Sequence, residues 1–192
     1  MKYAKSLLFL LQVLFLASCS SDIEKKALCI TEESTNQTII HGSTNLEHTS
    51  YINLIVNGSA NFQHIQVEKQ LQVNGSLQAS DCIFKKVQVN GSFELEDSNV
   101  SELVQVNGLA EFQDCQLHKV ELASAEVTFD DCQIYTIHIK KINNSSNDSQ
   151  TVVLDDTVIQ GNVTFESGTG KIVLEGSSKI VGKIIGGTII SK

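Results

Sequence analysis

Val56-Asn57-Gly58-Ser59, Val73-Asn74-Gly75-Ser76, Val89-Asn90-Gly91-Ser92 and Val106-Asn107-Gly108-Leu109 are one phrase written four times, at intervals of 17, 16 and 17 residues. A short fixed period marks stacked supersecondary units and outranks any residue-by-residue assignment of helix or strand. A unit of this length is too short for a helix-turn-helix repeat. It suits one coil of a β-solenoid.

On either side of the glycines, each coil shows pairs of mostly apolar residues, two positions apart except at Leu103 and Val106. Ala60 and Phe62, Ile65 and Val67, Leu71 and Val73 make the first full coil. Leu77 and Ala79, Cys82 and Phe84, Val87 and Val89 follow, then Phe93 and Leu95, Ser98 and Val100, Leu103 and Val106. The series continues with Ala110 and Phe112, Cys115 and Leu117, Val120 and Leu122. It closes with Val127 and Phe129, Cys132 and Ile134, Ile137 and Ile139. Each pair reads as a short strand with one buried face, and the polar residues between pairs read as corners. The fold expected is all-β: a single-stranded parallel β-helix, triangular in section, with three short strands per 16–17-residue coil. The slip between 16 and 17 falls at the second corner, where Glu68-Lys69-Gln70 is one residue longer than Lys85-Lys86. Proline is absent, as suits strands in which every N–H serves the ladder.

An earlier coil begins at Ile40-His41-Gly42-Ser43. A polar excursion at about 143–150 interrupts the pattern, which then resumes with a longer repeat at Val153-Leu154 and Val163-Thr164-Phe165. The stack comes to eight or nine coils, about 40 Å of prism. Three segments result: an export signal at 1–18, a polar tether or cap at 19–38, and the solenoid at 39–192.

The signal assignment rests on Lys2 and Lys5 ahead of an apolar run from Ser6 to Leu16, too short to span a bilayer comfortably. Leu16-Ala17-Ser18-Cys19 resembles the lipobox of bacterial lipoproteins. That resemblance implies cleavage before Cys19, diacylation of its sulfur and acylation of the new amine, so that acyl chains tie the protein to a membrane. Ser20 after the cysteine implies residence at the outer membrane of the cell envelope. Loss of the signal removes two lysines, taking the net charge from −8 to −10, and the chain contains no arginine. Such a surface disfavours nucleic acid, which needs clustered cations.

Four constellations bear on chemistry. Cys82, Cys115 and Cys132 share a column with Ile65 and Ser98, which points them inward as small hydrophobes. Ser98 in that column implies that Cys115→Ala is cheap. A Cys115–Cys132 disulfide is a weaker alternative, and a metal site weaker still. Asp81, Asp97, Asp114 and Asp131 form a corner column, continued by His48 and His64. Asp suits a corner because its side chain bonds nearby N–H groups; Ca²⁺ is the alternative. The Asn-Gly corners suit positive φ, and stacked Asn amides can bond along the axis. His41, His48, His64, His118 and His138 are scattered, and the corners are too short to wall a cleft. No catalytic residue, metal ligand or cofactor is expected.

Val158-Ile159-Gln160-Gly161-Asn162-Val163 and Ser178-Lys179-Ile180-Val181-Gly182-Lys183-Ile184 resemble the turn signature of bactofilins, bacterial proteins that polymerise end to end without nucleotide. The resemblance implies a β-helix and end-to-end association. Bactofilins act on the cytoplasmic side, so the lipoprotein signal departs from them and their cytoskeletal role does not carry over. The apolar coil from Ile184 to Ile190 offers an edge for self-association or a protein partner. The function expected is a membrane-anchored envelope lipoprotein whose rigid solenoid serves as a non-catalytic scaffold or binding surface. The alternative is a polysaccharide-processing β-helix enzyme.

Overall fold

The computed structural model describes residues 29–33, 36–142 and 149–190; the export signal and Cys19 lie outside them. The described chain is a parallel β-solenoid of about 9 turns. Three walls follow from the ladders. The first runs Ala60↔Leu77, Leu77↔Phe93, Phe93↔Ala110 and Ala110↔Val127. The second stacks Val67 on Phe84, Val100, Leu117 and Ile134, and the third stacks Val73 on Val89, Val106, Leu122 and Ile139. Alternate residues of each wall are buried in one continuous core. No coil could bury its apolar face alone; stacking supplies the neighbour, and parallel strands complete each other's hydrogen bonds.

At its centre the core is aromatic. Phe112 meets Phe93 edge-on at 5.5 Å and stacks on Phe129 at 4.9 Å. The inward positions match the sequence pattern with one correction. Leu103 is half-buried and pairs with the outward Lys86, while Val104 pairs with Val87 and is 0% exposed. The longer second corner, Ser101-Glu102-Leu103, carries the extra residue, so the inward alternation restarts at Val104. The 16-to-17 slip does fall at this corner: the ladder shifts register between Val67 and Gln70 and again between Val100 and Val104.

The first solenoid strand, β2 (Gln37–His41), starts two residues before the expected boundary at 39. Ahead of it β1 (Cys29–Glu33) turns back antiparallel, pairing Glu33 with Gln37 and Cys29 with His41. This strand covers the edge of β2 that its partner strand Ser50–Asn57 leaves free; the rest of the expected tether or cap, 19–28, lies outside the described residues. Of the excursion, 143–148 lie outside the described residues. Its base is tied across by buried Gln150, whose Nε2 donates to the carbonyls of Ser124 (3.0 Å) and Lys140 (2.8 Å). The repeat then lengthens: Thr151 pairs with Lys171 and Val163 with Ile184.

Outside the third wall, Glu121 accepts from Lys119 (2.7 Å), Lys140 (2.8 Å) and Gln105 (3.1 Å). The two ammonium groups hold its carboxyl down at about 2, from an ordinary 4.5. A depressed acid adds stability that is present above its unfolded pKa and is lost as pH falls through the folded one. Stability should therefore drop between about pH 4.5 and 2, and Glu121→Gln should flatten that part of a urea-midpoint profile. An unchanged profile would show that the lysines leave the carboxylate without net stabilisation.

Candidate functional site

The corners and the first wall hold the groups from which a site could be built. At the corner between first and second walls, His48, His64, Asp81, Asp97, Asp114, Asp131 and Asp156 all take φ between 43° and 54°. Non-glycine residues rarely do so, and Asn, Asp and His do so most readily. This left-handed backbone is why the column is Asp and His. Among the described residues, a bond from one of these side chains to a backbone N–H, the reason expected, is seen at Asp156, which accepts from Ser177 N (2.7 Å), while Asp114 accepts from the Gln113 side-chain amide (3.4 Å). His48 and His64 stack at 4.6 Å, and His64 Nδ1 lies 3.9 Å from Asp81 Oδ2. Loss of hydration and then the neighbouring carboxylates of Asp114, Asp130, Asp156 and Asp155 hold Asp131 above the usual range. Among the described residues no three His, Cys, Asp or Glu side chains are placed to hold a metal ion.

The left-handed corner takes the next residue's N–H out of the backbone ladder, and the adjacent side-chain column repairs this. Cys82 N donates to Ser98 Oγ (2.9 Å), Cys132 N to Thr157 Oγ1 (3.0 Å), and Thr157 N to Ser178 Oγ (3.1 Å). Ile65 N reaches Cys82 Sγ at 3.4 Å, and Ser98 N bonds the Cys115 sulfur. Five side chains of this column also donate across their own corners to the carbonyl two residues back: Thr49 to Glu47, Cys82 to Ser80, Ser98 to Glu96, Cys115 to Gln113 and Cys132 to Asp130. The three thiols are buried and free, but they are hydrogen-bonding rungs as well as small hydrophobes. Burial pushes Cys82 up to about 11, and Cys132 is raised first by its hydrogen bond with Cys115 and then by burial.

This changes the expectation for Cys115. Alanine there would strip Ser98 N of its acceptor, and an unpartnered buried N–H costs about 1–3 kcal/mol. Ser98→Ala, which orphans Cys82 N, should cost the same, whereas Cys115→Ser should cost less than Cys115→Ala. Urea unfolding of the three variants checks the order; equal midpoints for serine and alanine would make the thiol a mere space-filler.

At the corner between third and first walls a second ladder runs along the axis. Asn107 Nδ2 donates to Asn90 Oδ1 (2.8 Å), Asn90 to Asn74 (2.9 Å) and Asn74 to Asn57 (2.8 Å). Asn57 Nδ2 meets His41 Nδ1 at 3.3 Å. The amide stacking follows expectation. The positive φ does not fall on asparagine: only the glycines take it, between 140° and 150° at Gly58, Gly75, Gly91 and Gly108.

Beside this ladder a groove of about 760 Å³ runs along the first wall. One flank is the rank Ser43, Ser59, Ser76 and Ser92, the other is Asn45, Asn61, Gln78, Glu94 and Glu111. Period 2 explains the arrangement: residues on either side of inward Ala60, Leu77 and Phe93 must point outward. Gln78 Nε2 donates to Glu94 Oε2 at 2.8 Å. The serine after each Asn-Gly was visible in the repeat, but a groove was not, because its depth depends on how neighbouring coils stack. His118 lies on the second wall, stacked on Tyr135 at 5.0 Å, and His138 on the third, bonded to Glu166 at 2.7 Å. The histidines are not brought together beyond the His48–His64 pair. Compared with protein-family models, curated proteins and solved structures, the chain gives no match.

Proposed function

We propose that the protein is a membrane-anchored envelope lipoprotein whose β-solenoid is a non-catalytic scaffold or binding surface, held through lipid on Cys19. The observation that carries this reading is the lipobox-like Leu16-Ala17-Ser18-Cys19 ahead of a solenoid whose walls are its main outward surface. Continuous ladders make those walls stiff, and acyl chains place them at a membrane, the outer one by the Ser20 rule. Val181, Ile185, Ile189 and Ile190, exposed on the last described coil, support end-to-end association or a protein partner there, as the bactofilin likeness suggests.

The test is Cys19→Ser. The native chain should be cleaved, labelled by a palmitate analogue and recovered with membranes, and the variant should stay uncleaved and unlabelled. Normal labelling of the variant would overturn the assignment.

A second reading, a polysaccharide-processing enzyme, is favoured by the Glu94 and Glu111 carboxylates in the groove. Acid and base roles need carboxylates in contrasting environments, and these two are exposed neighbours in one column. Release of shortened products from a polysaccharide panel would favour it over the scaffold.

A further inference from the structure

We propose that Asn107, at the open end of the asparagine ladder, is a site of spontaneous covalent modification, losing its side-chain amide to attack by the Gly108 nitrogen. The inference is independent of lipid on Cys19 and of what the walls bind.

The reaction needs an asparagine followed by a residue with no side chain to crowd the attack. Asn57-Gly58, Asn74-Gly75, Asn90-Gly91 and Asn107-Gly108 all qualify. The glycine nitrogen gives up its proton and bonds the asparagine Cγ. The Cγ–Nδ2 bond breaks, and Nδ2 leaves with that proton as ammonia. One water molecule then opens the resulting five-membered imide. Opening at the side-chain carbonyl gives aspartate. Opening at the backbone carbonyl gives isoaspartate, in which the main chain runs through the former side chain.

The fold holds three of the four sites on both sides. Asn57, Asn74 and Asn90 each accept at Oδ1 from the asparagine of the next coil, while Nδ2 is engaged with the coil before. Their glycines are tied too: Gly58 N donates to the Asn74 carbonyl at 3.0 Å, Gly75 pairs with Gly91, and Gly91 with Gly108. Attack requires the carboxamide to turn out of the ladder toward the backbone, so it waits on local opening.

Asn107 is held on one side. Its Nδ2 donates to Asn90 Oδ1 at 2.8 Å, but the next residue of the column is Ala123, whose side chain has no donor. The backbone changes at the same place. The ladder to the following coil stops at Asn107↔Ala123 and resumes at Ala110↔Val127, leaving Gly108 and Leu109 opposite the longer Ser124-Ala125-Glu126. Leaving group and nucleophile are therefore both loose on one side, and Asn107 is exposed to the water that completes the reaction. Release breaks one side-chain bond instead of two, which corresponds to roughly a tenfold faster reaction. Either product carries a carboxylate, which cannot donate, so Asn90 Oδ1 loses its partner. Modification then runs back along the ladder, with Asn90 next.

The experiment follows the four sites together by peptide-mapping mass spectrometry. The full detergent-solubilised chain is held in mildly alkaline buffer at physiological temperature, with heavy-oxygen water marking each opened imide. Asn107 should convert roughly tenfold faster than Asn74 or Asn90, and in urea the four rates should converge. Ala123→Asn, at a half-buried position stacked on Asn107, extends the ladder and should slow Asn107 by the same factor. Asn107→Asp removes the donor to Asn90 and should speed Asn90 in turn. Equal rates in the folded chain, a faster internal asparagine, or an Asn107 rate indifferent to Ala123→Asn would overturn the proposal. The order of rates in the native chain needs no variant, so it decides even where a substitution disturbs folding.

Discussion

Gly91→Ala should leave little folded protein at room temperature. A Cβ at Gly91 would stand 2.0 Å from the carbonyl oxygen of Gly75, and one at Gly108 would meet the carbonyl of Gly91 at the same distance. The obstacle is backbone, so no side chain can swing aside. Positive φ at a non-glycine residue adds about 1–3 kcal/mol of strain. Relief requires parting two coils, which breaks the ladder on either side, so the total should exceed about 4 kcal/mol. Gly168→Ala is the control: its φ is +74°, but nothing lies within 4 Å of the added carbon, and the cost should be about 1–2 kcal/mol. Urea denaturation followed by circular dichroism reads both. Near-native stability for Gly91→Ala would mean that the coils are not in contact at this corner.

Phe112→Ala should destabilise by about 3–5 kcal/mol, the range for deleting a buried phenyl ring. Phe112 is fully buried, wedged between the ring of Phe93 and that of Phe129. Neighbouring coils are fixed by their hydrogen bonds and cannot collapse into the gap. Leu103→Ala, outward and half-buried, should cost under about 1 kcal/mol. The pair tests the register directly, because reversed costs would restore Leu103 to the core and move Val104 out.

Much of this fold was legible because its period is short. A repeated Val-Asn-Gly fixes where each coil begins, and alternation then decides which side chains face in, since a one-residue slip would turn every side chain over. The rule failed where the coil itself changes length. At Ser101-Glu102-Leu103 two apolar residues, Leu103 and Val104, compete for one inward place, and composition cannot choose between them. The ladder chose, by pairing Val104 with Val87. The cysteine column was placed correctly and understood only in part. Thr49, Cys82, Ser98, Cys115, Cys132, Thr157 and Ser178 follow successive corners, so a donor-acceptor rung was written in the chain. Isoleucine at position 65 obscured it by making the column look purely apolar.

Architecture and its fine grain were written along the chain: a coil of three strands, a glycine at one corner, a residue tolerant of left-handed backbone at another, and an apolar column on every wall. These depend on local geometry and on a pattern repeated often enough to cancel local ambiguity. Tertiary structure decided what depends on one coil meeting the next. Whether asparagine bonds asparagine, which N–H each corner orphans and which hydroxyl or thiol receives it, and whether serines and amides enclose a groove are settled only when residues 16 or 17 apart are brought to hydrogen-bonding distance. The antiparallel return of Cys29–Glu33 belongs there too. That segment carries no repeat, and only the unpaired edge of Gln37–His41 gives it a place to lie.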